Sequence, residues 1–210
     1  CLVEVEPDGI EYDPDTVQVH EIPGEQEYGG QRVQLRAALA GADIAVQIDV
    51  GFGDTVTPAA VEMDYPTLLD SPTPTVKAYT RETVIAERVQ AMVDLDMANS
   101  RMKDFDDLRL LAQRFEFHGT VLVDAIKTAF QRRHTSIPTE LPVALTDEFT
   151  SSSGKTTQWT AFLRKNRIKD APSDLKKVIE LLAEFLGPPM NAASRNESFK
   201  RTWKEGGPWA

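Results

Sequence analysis

The chain has 210 residues, 41% of them hydrophobic and 27% charged, with a formal net charge of −10. That size and composition suit one sizeable folded domain or two small ones. No apolar run approaches the ~20 residues of a membrane helix, and with Cys1 as the only cysteine, a disulfide framework and a cysteine metal site are excluded. No basic start precedes an apolar stretch, so a secretory leader is not expected, and a cytoplasmic location is.

The first 79 residues read as strands. Val3–Glu6, Ile10–Tyr12 and Thr16–Ile22 are separated by turn signals at Pro7-Asp8-Gly9 and Asp13-Pro14-Asp15. Pro23 to Gly30 is a polar connection. The clearest hairpin follows: Val33, Leu35, Ala37 and Leu39 alternate on one arm, Ile44, Val46, Ile48 and Val50 on the other, and Ala40-Gly41 supplies the turn. Gly51 to Tyr79 carries four prolines and no sustained period, which predicts a long connection without elements.

From residue 80 the period becomes helical. The apolar stripes are Val84, Ile85, Val89, Met92 and Val93; then Phe105, Leu108, Leu111, Ala112 and Phe115; then Val121 through Phe130; then Trp159, Phe162 and Leu163. A fifth helix opens at Pro172-Ser173, and Gly187-Pro188-Pro189 is expected to stop it. Trp203 and Trp209 are expected to pin the tail to the body. At least four helices are predicted after Tyr79. The organisation is α+β, with residues 1–79 forming an incomplete mixed or antiparallel sheet and residues 80–210 a helical C-terminal domain with a docked tail.

Charge follows the same division. Residues 1–79 hold 15 acids and 3 bases (−12), and residues 80–210 hold 18 acids and 20 bases (+2). Arg132, Arg133, Lys155, Arg164, Lys165, Arg167, Lys169, Lys176 and Lys177 all lie in the second half. Two readings fit: a surface that faces a polyanion such as RNA or nucleotide phosphate, or an ordinary solvated helical surface.

Three places could carry chemistry. On the strand Ile44–Val50, Asp49 shares the face opposite Ile48 with Ala45 and Gln47. A carboxylate there either binds a hard cation for phosphoryl chemistry or merely caps the turn at Gly51-Phe52-Gly53-Asp54. At Ser100-Arg101-Met102-Lys103-Asp104-Phe105-Asp106-Asp107, Ser100 is expected to cap a helix. Asp104 and Asp107 then stand three apart on one face, while Phe105 and Leu108 point inward. Helix-start charge complementarity accounts for the acids; Arg101 and Lys103 at the same end work against the dipole and favour a site. Arg88 lies on the polar side of the preceding helix, placed to meet a phosphate or only solvent.

Other patterns carry no site. Gly154-Lys155-Thr156 lacks the glycine a phosphate loop needs five residues earlier, where Phe149 stands. Asp13-Pro14-Asp15 and Asp94-Leu95-Asp96 follow no glycine-rich turn, and His20, His118 and His134 have no ligand spacing.

Three stretches together resemble the AbiEii/AbiGii nucleotidyltransferase toxin family. They are Gln47-Ile48-Asp49-Val50-Gly51-Phe52-Gly53-Asp54, then Tyr65–Asp70 with Glu82-Thr83-Val84-Ile85-Ala86-Glu87, then Asn99-Ser100-Arg101-Met102-Lys103-Asp104-Phe105. The likeness continues through Phe130–Thr135 and the Gly-Gly-Pro-Trp ending. It implies a polymerase-β-like nucleotidyltransferase core followed by a helical domain. It implies Asp49 as a carboxylate of a Mg²⁺ site, Arg88 where the family has a nucleotide-contacting lysine, and Arg101, Lys103, Asp104 and Asp107 as the last motif. Arg88, Arg101 and Lys103 would then contact the nucleotide, with Asp49, Arg88, Asp104 and Asp107 as the catalytic set.

The family's first motif, a Gly-Gly or Gly-Ser turn followed by Asp-x-Asp, is not in the chain. The expectation is of a sequence that begins after it and by itself transfers nothing. What the resemblance implies for the intact protein is a toxin of a bacterial toxin–antitoxin and phage-defence system. It would transfer a nucleoside monophosphate from an NTP to an acceptor such as tRNA, opposed by a cognate antitoxin, often a DNA-binding protein. The rival expectation is a non-catalytic protein- or RNA-interaction module on a decayed nucleotidyltransferase fold.

Overall fold

A computed structural model describes residues 9–22, 30–51, 57–68, 70 and 72–210. The readings at Val3–Glu6, Pro7-Asp8, Pro23–Gly29 and Phe52–Asp54 lie outside the described residues, as does Leu69. The chain divides into two compact units, Cys1–Asp54 and Thr55–Ala210.

In the first unit the alternating runs form a three-stranded antiparallel sheet in chain order: β1 (Ile10–Ile22), β2 (Gly30–Leu39) and β3 (Ala42–Gly51). The β2–β3 turn closes at Ala40-Gly41, where φ is 48° and 83°. Two successive positive values match the right-handed twist of the flanking strands, and Gly41 takes the second without steric cost. The register that follows sets Val33 against Ile48 and Leu35 against Val46, with Arg32 against Asp49 and Gln34 against Gln47 on the other face. The apolar face is not a closed core, since Ile48 remains 51% exposed.

The expected turn at Asp13-Pro14-Asp15 is not a break. β1 runs through it, and the pairing with β2 slips between Asp13 and Gln18. The local turn chemistry is still there: the Asp15 amide donates to Asp13 Oδ1 at 3.0 Å and the Thr16 hydroxyl donates to the Asp13 carbonyl at 2.7 Å. Pairing resumes beyond it, so the turn is absorbed as a bulge.

The second unit opens with elements the prolines had concealed. β4 (Val61–Asp64) and β5 (Thr75–Ala78) pair antiparallel. Four residues each are too short for a period to register against neighbouring Pro66, Pro72 and Pro74. Six helices follow: α1 (Arg81–Leu95), α2 (Met102–Arg114), α3 (Gly119–Arg132), α4 (Asp147–Ser151), α5 (Ser153–Asn166) and α6 (Leu175–Ser194). Two short strands, β6 (Phe117–His118) and β7 (Thr202–Trp203), also pair. The protein is α+β, an antiparallel sheet followed by helices.

The stripes that define the helices meet in one core. α1 lies on α3, while α6 packs on both α2 and α3. Ile85, Val89, Phe105, Leu108, Leu122, Ile126, Val178, Leu182 and Phe185 are completely buried. Phe105 stacks on Phe149 at 5.3 Å. α3 begins at a glycine because a Cβ on Gly119 would come 2.7 Å from the Phe199 carbonyl oxygen and 2.8 Å from that of Arg201.

Gly187-Pro188-Pro189 does not stop α6, which continues to Ser194. Pro189 brings no N–H, so the Phe185 carbonyl four residues back loses its helical donor. The Trp209 indole N–H replaces it at 2.9 Å. Trp203 caps another helix in the same way, donating to the Ala112 carbonyl in the last turn of α2 at 2.7 Å. The tail is thus docked by two indoles that repair helix carbonyls, packed with Phe185 at centroid distances of 4.8 and 6.0 Å.

Candidate functional site

α1 and α2 carry the site of the second unit. Thr80 caps α1, its hydroxyl accepting from the Thr83 amide at 3.3 Å, and Ile85, Val89 and Met92 turn inward. That leaves Arg88 on the side facing α2. The start of α2 is not capped by Ser100 as expected. The Asn99 side chain accepts the Arg101 amide at 2.9 Å, and no side chain caps the helix itself. Asn99 is 1% exposed, and its backbone carbonyl accepts from the Lys155 ammonium at 2.7 Å.

Because Phe105 and Leu108 are buried, Asp104 and Asp107 emerge together on the face toward α1. The Arg88 guanidinium lies between them. Nη1 donates to Asp104 Oδ1 at 2.7 Å, and Nη2 donates to Asp107 Oδ2. Lys103 also reaches Asp107, one helical turn away. The side chains of Arg88, Asp104 and Asp107 are 25%, 13% and 25% exposed, so this is a half-buried cluster open to solvent on one side. Arg88 Nε is buried and meets no acceptor among the described residues, a donor without use inside the fold. Arg101 is exposed at the head of α2. The structure therefore brings Arg88, Lys103, Asp104 and Asp107 together and sets Arg101 at the same helix start.

Asp49 belongs to the other unit. It stands on the polar face of β3, as alternation requires, and Arg32 grips it with two parallel bonds, Nε to Oδ1 at 2.7 Å and Nη2 to Oδ2 at 2.8 Å. The bonds from Arg32 hold the Asp49 carboxyl below its ordinary value, and the same bonds raise Arg32. Asp49 is thus an exposed, ionised carboxylate with lone pairs beyond those Arg32 uses. It fits one position of a magnesium shell, which takes one or two protein carboxylates and fills the rest with phosphate and water. Among the described residues no group of three or more His, Cys, Asp or Glu side chains is arranged to hold a metal.

The sequence reading missed the partners of several residues. Arg32 was legible in principle, since the Ala40-Gly41 turn alone puts it opposite Asp49. Asp106 is 5% exposed and pairs with Arg109, itself 2% exposed, at 2.7 Å; the pair belongs to the core and not to the site. Lys155, 7% exposed, has its ammonium 5.0 Å from the centre of the Phe149 ring. Its position one turn before the buried Trp159 was the available signal.

A sheet-bearing unit, and a helical unit with a guanidinium held between two aspartates, are what comparison with known proteins has to explain. It places the chain among nucleotidyl transferase toxins of type IV toxin–antitoxin systems. The matching family model is that of the nucleotidyl transferase AbiEii toxin, over residues 5–184, and the chain belongs to that family. Comparison with curated proteins and with solved structures finds no match. Membership implies a cognate antitoxin as partner. No helix among the described residues is long and apolar enough to cross a membrane.

Proposed function

We propose that this protein transfers a nucleoside monophosphate from an NTP to an RNA acceptor such as tRNA, and that Arg88, Asp104 and Asp107 form part of its nucleotide site. The observation that carries the reading is convergence: Arg88 meets Asp104 and Asp107 from another helix, 16 and 19 residues away, with one buried guanidinium N–H left over. In the reaction an acceptor hydroxyl oxygen attacks the α-phosphorus in line, the bond to the bridging oxygen breaks, and pyrophosphate leaves.

Arg88 supplies donors for phosphate oxygens. Asp104 and Asp107 set its plane and take the acceptor's proton or orient the nucleotide. Lys103 and Arg101 add positive charge at the mouth. Asp49 would hold Mg²⁺, which when bound neutralises charge on the triphosphate. Arginine here keeps the charge of the family's lysine but spreads it over a planar fork whose two terminal nitrogens each meet one carboxylate, where an ammonium would concentrate the charge on one nitrogen. No glycine-rich turn followed by Asp-x-Asp stands within these 210 residues, so the proposal includes little or no transfer by this chain alone.

A second reading has its own observation. Arg88 and Asp49 are both neutralised internally, Arg88 by two aspartates and Asp49 by a bidentate arginine. This favours a non-catalytic module that binds protein or RNA. The deciding assay incubates radiolabelled NTPs, Mg²⁺ and total tRNA with this chain and with a form carrying any natural residues upstream of Cys1. Label transfer that is lost in Asp49→Ala and Asp104→Asn supports the enzyme. A folded, upstream-extended protein that transfers nothing while still binding RNA moves the reading to the module.

A further inference from the structure

Chemistry-bearing residues outside the site collect on one surface. From Phe149 to Lys169 there is no acidic residue, in a chain that has 33 among 210. The stretch contains α5 and the turn after it. At its end Arg164, Lys165, Arg167 and Lys169 are all exposed, and among the described residues none of them forms an ion pair. Elsewhere the cations are mostly engaged: Arg36 by Asp43, Arg114 by Asp170, Lys176 by Asp147 and Lys204 by Glu116. Helix-dipole complementarity accounts for Arg164 and Lys165 in the last turn of α5. It does not account for Lys169, beyond the helix, nor for Arg167. Arg167 ends α5 in the left-handed conformation, φ 55° and ψ 34°, a position glycine or asparagine fills at lower cost.

The face of α5 leading to this turn has a shallow depression of about 310 Å³ lined by Thr156, Thr157, Thr160, Ala161 and Arg164. Each threonine has committed its proton to the backbone. Thr156 and Thr157 donate to the Ser153 carbonyl at 3.0 and 2.8 Å, and Thr160 donates to that of Thr156 at 2.9 Å. What they offer to a ligand is acceptor lone pairs. Phosphate oxygens cannot use those, but a ribose 2′-hydroxyl can donate to them, while the adjacent cations take the phosphates.

We infer that the α5 face and the Arg164–Lys169 turn form an RNA-binding surface, with Thr156 and Thr160 reading ribose and Arg164, Lys165, Arg167 and Lys169 reading phosphate. The inference rests on the proposal that the acceptor is RNA, and the geometry suits that role. Asp170, next to the turn, bonds Arg114 at the far end of α2 from Asp104. Ten residues of helix separate Asp104 from Arg114, about 15 Å at 1.5 Å per residue. A few nucleotides of an RNA end bridge that length, so a strand held at the turn could present its terminus to the Arg88 cluster.

The test is fluorescence anisotropy of the 210-residue chain with an RNA hairpin and a DNA hairpin of the same sequence, at 50–200 mM KCl and without NTP or Mg²⁺. In R164Q/K165Q/R167G/K169Q, glycine suits the left-handed backbone at 167. Four lost phosphate contacts should make the log K against log salt slope shallower by about three, roughly a thousandfold in affinity at 0.1 M if the two proteins agree at 1 M. R167G alone should reduce the slope by about one, and gives the answer should the quadruple variant fail to fold. T156V/T160V should weaken RNA binding several-fold and leave DNA binding unchanged. Unchanged slopes in the charge variants overturn the surface. Equal RNA and DNA affinity, insensitive to the threonine changes, overturns the assignment to RNA. Because binding is read without catalysis, failure of the transferase proposal would leave this result standing, and the reverse also holds.

Discussion

Removing the guanidinium of Arg88 is the most informative single change. In Arg88→Ala, Asp104 and Asp107 remain side by side on α2 with side chains 13% and 25% exposed, and only Lys103, 69% exposed, still answers Asp107. Stranding one partner of a fully buried pair costs about 3–5 kcal/mol, and a fully exposed pair is worth about 0.2–1 kcal/mol. The exposures here lie between those limits, which puts the loss at roughly 2–3 kcal/mol. Against it stands the buried Nε with no acceptor, whose removal returns about 1 kcal/mol. The net is a destabilisation of about 1–2 kcal/mol, or roughly 2–8 °C in melting temperature for a chain of this size. Scanning calorimetry of Arg88→Ala, Asp104→Asn and the double variant would measure it. The double variant should recover part of the loss, because neutralising Asp104 removes the carboxylate repulsion that Arg88 had suppressed. An Arg88→Ala protein that melts within about 1 °C of the parent would sink the argument that this cluster is electrostatically coupled.

Gly207→Ala puts a Cβ 2.6 Å from Cη2 of Trp203 at a φ of 87°, whereas Gly206→Ala at φ 80° meets nothing within 4 Å. Urea unfolding should show about 1 kcal/mol lost at Gly206, for the left-handed backbone alone, and clearly more at Gly207. Trp209→Phe strips the donor from the Phe185 carbonyl and should cost about 1–3 kcal/mol. Adding Pro189→Ala, which restores a backbone N–H to that carbonyl, should recover part of it, and no recovery would show that the indole bond is not what lets α6 pass the prolines. The Lys204 ammonium holds the Glu116 carboxyl below its usual 4.5, so this contact stabilises above that value and is lost as pH falls through the lower, folded one. Lys204→Gln should move the Glu116 midpoint in an NMR titration upward toward 4.5.

Much of the site was legible because it is local. Asp104 and Asp107 stand three apart beside Phe105 and Leu108, so helical periodicity alone puts both acids on one polar face. The Ala40-Gly41 turn sets a hairpin register in which Arg32 must oppose Asp49, and alternation puts Asp49 on the polar side. The words around Asp49, Glu87 and Asp104, in that order, were enough to indicate the family. What misled was also local. Asp13-Pro14-Asp15 has the chemistry of a turn and makes those hydrogen bonds, but the β2 strand beside it continues, and a bulge leaves more backbone paired than a break would.

The tertiary structure decided the rest. Asp106 looks like Asp104 and Asp107 in the sequence; only burial assigns it to Arg109 and the core. Arg88 reads as a solvated helix residue until α1 lies against α2 and sets it between two carboxylates. Gly187-Pro188-Pro189 should end a helix, because a proline brings no N–H to the carbonyl behind it. α6 continues because an indole N–H from Trp209, 24 residues beyond Phe185, arrives at that carbonyl. Periodicity, turns and register act over a few bonds or one hairpin, and those the sequence determined by itself. Which distant donor or charge satisfies a group left over by local structure depends on how the helices pack, and packing is settled only when the whole chain has folded.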